Sequence, residues 1–143
     1  MTFEAFTQAA PEALAGLRTL SQAASAGLTD KGLIELMKIR ASQMNGCAFC
    51  TQFHLNAARK LGVEPRKLDL VAVWRDAGVF SAREQAALAW TEQLTAPGSG
   101  LEAGRAALTD EFSETEITAL TLVIATINAW NRVAAGLGFP PPG

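Results

Sequence analysis

Nowhere in this chain do β-branched residues alternate with polar ones over several positions, so no segment has the pattern of a half-buried strand. Apolar residues instead recur three and four apart, between residues that start and stop helices. Pro11 suits a first helical turn, where its missing N–H costs nothing, and Ala13, Leu17, Leu20 and Ala24 follow at helical spacing until Gly27. Thr29 is the expected N-cap of a second helix through about residue 44. A break at Asn45-Gly46 precedes a third helix over 47–61, closed by Gly62. Pro65 opens a fourth, carrying Leu70, Val71, Trp74 and Ala77. Ser81 and Glu84 form a capping box for a fifth, ended by Pro97, and a short helical turn is expected over 102–108. Ser113 and Glu116 form a second capping box, with Phe112 and Ile117 at staple spacing, and the last long helix should reach about residue 135. The reading is all-α, a bundle of about six helices.

At 143 residues the chain fits one domain over 1–143, with a core over about 11–135 and a tail over 136–143. Hydrophobic residues make up 49% and charged residues 18%, which supplies a large core and leaves apolar surface for other subunits to cover. Lys plus Arg number 12 against 14 Asp plus Glu, with no basic face gathered for nucleic acid. No basic stretch precedes an apolar run at the N-terminus, so no secretory leader is expected. The apolar stretch 119–130 is broken by Thr121, Thr126 and Asn128, too short and polar to span a bilayer. The expected location is the cytoplasm, where a cysteine pair points to redox chemistry or metal. Two Cys and one His cannot build a disulfide-dense scaffold or a His-rich metal cage.

The third helix carries the chemistry: Cys47-Ala48-Phe49-Cys50-Thr51-Gln52-Phe53-His54. At about 100° per residue, Cys47, Cys50 and His54 fall within a sector of roughly 60°, on the apolar side of the helix. A thiolate in a first helical turn is stabilised by free N–H groups and the positive end of the dipole. His54, one turn after Cys50, can take the thiol proton and then stabilise the thiolate. Two cysteines three apart can close a disulfide, trapping a sulfenic acid before it oxidises further. Other accounts of the same residues are cysteines packed as small apolar side chains and a zinc site completed by a carboxylate. Glu35 has apolar neighbours in sequence, yet a helical projection places it in a narrow polar sector with Lys38 and Ser42. It is either half of a solvated Glu35–Lys38 pair or a buried proton carrier facing the Cys/His helix.

The pattern of Glu35, Cys47, Cys50 and His54 resembles the alkylhydroperoxidase AhpD-like core of the carboxymuconolactone decarboxylase superfamily. The run Leu36-Met37-Lys38-Ile39-Arg40-Ala41-Ser42-Gln43-Met44-Asn45-Gly46-Cys47 resembles that family's lead-in, and Ile127-Asn128-Ala129-Trp130-Asn131-Arg132 its closing helix. The resemblance implies a thiol peroxidase acting on organic hydroperoxides or hydrogen peroxide. In it Cys50 is the peroxidatic nucleophile, Cys47 resolves the sulfenic acid as a disulfide, and His54 and Glu35 relay protons. It further implies an external dithiol or lipoyl-type reductant, no bound cofactor or metal, and a homo-oligomer, trimer or hexamer. A dithiol carrier or redox sensor is the alternative from another class, and lactone decarboxylation a third that has no need of a cysteine pair.

Other conspicuous residues read as structure. Trp74 and Trp90 suit core or subunit contacts, Asn128 and Asn131 should bind neighbouring backbone, Arg40 has an acidic partner to find, and residues 98–104 form a connector.

Overall fold

A computed structural model describes residues 1–143 and contains helices only. In chain order these are α1 (Phe3–Ala9), α2 (Pro11–Ala26), α3 (Lys31–Met44), α4 (Ala48–Lys60), α5 (Pro65–Leu70), a 3₁₀ turn (Val71–Val73), α6 (Trp74–Ala77), α7 (Ala82–Thr95), α8 (Leu101–Leu108) and α9 (Glu114–Leu137). Eight of the α-helices have six residues or more, and α6 is a single turn of four. The count exceeds the expected six for two local reasons. Thr2 caps an extra helix by accepting the Ala5 N–H at 3.0 Å. The segment opened by Pro65 is not one helix, because it tightens into the 3₁₀ turn before resuming.

Several punctuation marks act as read. Both capping boxes close, at Ser81/Glu84 and Ser113/Glu116. The cap of α3 is Asp30 rather than Thr29, since its carboxylate accepts the Leu33 N–H at 3.0 Å. The last helix passes through Gly136 to Leu137 and stops at Gly138, whose φ of 68° is a conformation that costs glycine little. By length and composition alone α9 could cross a membrane. Here it is the core helix of the bundle, burying Leu120, Val123, Ile124 and Ile127 against α2, α3 and α7.

The other central element is α3. It buries Leu33, Ile34, Met37 toward α7 and α9, and Leu36 and Ile39 in a second cluster with Ala58, Val71, Trp74 and Leu88. That leaves only a narrow strip of α3 polar, and Glu35 and Lys38 lie on it. A third cluster joins Phe6, Leu14, Cys47, Cys50, Ala134 and Phe139. Both ends of the chain therefore pack beside the cysteines: Phe139 lies 5.6 Å from Phe6 and 5.3 Å from Phe49, ring centre to ring centre.

The structural readings of the tryptophans hold. Trp74 and Trp90 are buried, with their N–H groups donating to Glu92 and Thr121. Arg40 finds its acid in Glu92 at 2.7 Å, and Arg75 binds the same carboxylate. Burial works against the charge of Glu92, but hydrogen bonds from Arg75, Arg40 and Trp74 outweigh it and hold the carboxyl below its usual range.

Candidate active site

The α3–α4 connection is short, and it aims the cysteine helix. Asn45 and Gly46 form the turn, with Gly46 at φ 65°, where a side chain would be strained. Asn45 is tied down by α9: its Nδ2 donates to Asn128 Oδ1 and Asn131 Oδ1, each at 2.9 Å. Asn131 in turn donates to Ser42 Oγ at 2.9 Å and is 1% exposed. The expectation that these amides serve backbone is met only by Asn128, which donates to the Ile124 carbonyl. Their larger role is to lock the turn that immediately precedes Cys47. An Asn next to Gly46-Cys47 was the available signal, but its partners lie more than eighty residues away.

Cys47 is the N-cap of α4, and its Sγ accepts the Cys50 N–H at 3.2 Å. Cys47 and Cys50 are joined as a disulfide, with Cα atoms 5.4 Å apart, and the two residues are 2% and 4% exposed. Both sulfurs thus sit in the first turn of a thirteen-residue helix, where unpaired N–H groups and the helix dipole favour negative charge on sulfur.

His54 follows one turn later, and its Nδ1 lies 2.7 Å from Glu35 Oε2. Both side chains are 13% exposed. Of the two accounts of Glu35, the structure has the one in which it faces the Cys/His helix, because α3 and α4 pack along their lengths. With Nδ1–H donating to the carboxylate, Nε2 is left as the proton acceptor.

Cys50 and His54 line a cavity of about 270 Å³ between α2, α4 and α9, with the α1 residue Phe3 and the α3 residue Lys38 completing its wall. Phe49, Phe53, Ile127 and Trp130 give it an apolar lining. The Trp130 indole is fixed by donating to Ser21 Oγ at 3.0 Å. Glu35 stands behind His54 and does not line the cavity, and Cys47 opens instead onto a separate groove with Ser42, Thr51 and Pro141. Among these wall residues, Lys38 has only a salt bridge to Glu35 as its expected role in the sequence, and it makes none here. Burial pushes its ammonium below the usual lysine range, with the Glu35 charge opposing and Lys31 adding. No group of three His, Cys, Asp or Glu side chains is arranged to hold a metal ion.

Known proteins share this sequence pattern and fold. Residues 8–93 match the carboxymuconolactone decarboxylase family. An uncharacterised Bacillus subtilis protein, YdfG, is 30% identical over 135 residues, which is 93% of this chain and 92% of that protein. ATU0492 of Agrobacterium tumefaciens, a protein of unknown function for which an AhpD-type antioxidant defence role has been suggested, superposes with a TM-score of 0.91 at 33% identity, over 96% of each chain. A peroxidase-related protein with an AhpD core from Ralstonia eutropha JMP134 shares the fold, with a TM-score of 0.85 at 24% identity over 96% of this chain and 74% of that one.

Proposed function

This chain belongs to the carboxymuconolactone decarboxylase family, as an AhpD-like member with a paired CxxC, and we propose that it is a thiol-dependent peroxidase reducing organic hydroperoxides or hydrogen peroxide. The observation that carries this reading is the juxtaposition of Cys50, bonded to Cys47, with a His54–Glu35 pair beside one apolar cavity.

The cycle begins with the reduced pair. His54 takes the Cys50 proton, and Glu35 stabilises the imidazolium that results. The Cys50 thiolate attacks the terminal oxygen of the hydroperoxide, the O–O bond breaks, and the departing alkoxide takes the proton from His54 and leaves as alcohol. Sulfur has gone to sulfenic acid. The Cys47 thiol then attacks the Cys50 sulfur, forming the S–S bond and releasing water, the hydroxide leaving with the Cys47 proton. The apolar cavity suits an organic peroxide and keeps bulk water from the sulfenic acid. An external dithiol, such as a lipoyl group, restores both thiols by thiol–disulfide exchange. Assembly as a trimer or hexamer in the cytoplasm, within a single domain, completes the proposal.

The test is a thiol titration of the reduced protein before and after one equivalent of cumene hydroperoxide. Two thiols per chain should disappear without intermolecular crosslinks. Cys50→Ser should abolish peroxide consumption, and Cys47→Ser should permit one turnover and stall as sulfenic acid. Full multiple turnover by Cys50→Ser would discard the mechanism. Rapid oxidation by a protein disulfide, with negligible oxidation by peroxide, would favour the dithiol-carrier alternative.

A further inference from the structure

The cavity beside Cys50 has a charge pattern that the peroxidase cycle does not use. The protein carries a formal charge of −2, yet no Asp or Glu lines this cavity, whereas Lys38 and Arg18 both do. Lys38 takes part in none of the ion pairs of the chain, and Glu35, its near neighbour on α3, is engaged with His54. A half-buried ammonium in a mostly apolar cavity has lost part of its hydration, and the carboxylate that acts on it, Glu35, is already bonded to His54 and makes no direct ion pair with it. Arg18 is exposed at the rim, with its guanidinium 5.9 Å from the Phe3 ring centre. Gln22 and Ser25 continue from Arg18 at intervals of four and three residues, so one stripe of α2 presents polar donors to the cavity across from the Cys50/His54 stripe of α4.

From this arrangement we propose that the cavity binds amphipathic anions: an aryl or alkyl body against Phe49, Phe53 and Trp130, and a carboxylate on the Lys38 ammonium. Arg18 attracts the anion at the mouth. A cavity of about 270 Å³ is at the small end for ligand sites, which suits a one-ring or short-chain body. Resting on the peroxidase reading, the substrate class becomes the hydroperoxides of organic acids rather than neutral hydroperoxides. The Lys38 charge, which Glu35 offsets only in part, gains a direct ion-pair partner when such a ligand enters, and a neutral analogue offers it none.

Two measurements test this, and only the second depends on peroxidase activity. Calorimetric titration of the whole protein with para-isopropylbenzoate should show binding roughly ten- to a hundredfold tighter than with the isosteric para-isopropylbenzamide, and Lys38→Met should erase the difference. Melting of Lys38→Met by circular dichroism verifies its fold, and Lys38→Gln, polar but uncharged, should behave as Lys38→Met does. Separately, kcat/KM for the para-carboxylate of cumene hydroperoxide should exceed that for cumene hydroperoxide in the parent protein but not in Lys38→Met. Equal binding of benzoate and benzamide, or an unchanged preference in folded Lys38→Met, overturns the proposal even if both hydroperoxides are consumed. Lys38-dependent benzoate binding without turnover of either hydroperoxide upholds the anion site and removes the peroxidase reading instead.

Discussion

Replacing Glu35 by Gln tests the proton relay while leaving its geometry nearly intact. The amide oxygen of Gln can still accept from His54 Nδ1 at the present 2.7 Å, so the ring keeps its orientation and tautomer. What disappears is the negative charge facing the imidazolium. At 2.7 Å and an effective dielectric of about 20, the gross attraction between unit charges is about 6 kcal/mol. Most of it is offset by the desolvation of two groups that are only 13% exposed, leaving a net advantage of about 1.5–3 kcal/mol for a charge-assisted hydrogen bond. Its ion-pair part exists only when His54 is protonated, which is the state formed as Cys50 loses its proton. The second-order rate of Cys50 oxidation should therefore fall roughly ten- to a hundredfold in Glu35→Gln. Stability should change by less than about 1 kcal/mol, since the hydrogen bond survives. The assay is stopped-flow oxidation of the prereduced protein by cumene hydroperoxide, following tryptophan fluorescence or residual thiol, with urea unfolding as the control. A rate within twofold of the parent in a folded variant refutes the relay and returns Glu35 to a structural role.

Asn131→Ala should lower stability by about 2–4 kcal/mol, because it removes hydrogen bonds to Asn45 and Ser42 at a site 1% exposed and strands their polar groups. Thermal melting should fall by roughly 5–12 °C, and an unchanged transition would show that the amide network is dispensable. Glu92 supplies a pH dependence: its folded carboxyl titrates below the ordinary range, so its contribution is present above the unfolded pKa and vanishes as pH drops through the folded value. Glu92→Gln should accordingly be less stable than the parent at neutral pH, with the gap closing in acid. Urea midpoints that stay parallel across that range would contradict the assignment.

The helix-forming segments were legible because their signals are local. Capping boxes at Ser81/Glu84 and Ser113/Glu116 close within a single turn, so the residues that decide them are adjacent in the chain. The misreadings are local as well. Thr29 and Asp30 are both competent caps, and only the path of the chain gives Asp30 the Leu33 N–H. The segment after Pro65 has helical spacing but bends because Val71 and Trp74 must reach the cluster around Leu36 and Ile39. Cys50 and His54 were equally legible, since α4 carries both at a fixed angular offset, whereas Cys47 is the extended N-cap before that helix and opens onto a separate groove instead of the shared face the spacing suggested.

Glu35 was not decidable from periodicity, and neither was Lys38. Each sits on the one narrow polar strip of a helix that is buried nearly all round, and such a strip faces solvent or a partner helix with equal ease until the bundle closes. Packing of α3 on α4 assigned Glu35 to His54, and the approach of α2 and α9 enclosed Lys38 beside Cys50. The amino-acid order alone set the helices and the thiol–imidazole stripe, because the angles between residues on one helix follow from backbone geometry. Only the assembled bundle chose which carboxylate meets the imidazole and which cation lines the cavity, because those choices depend on contacts between segments far apart in the chain.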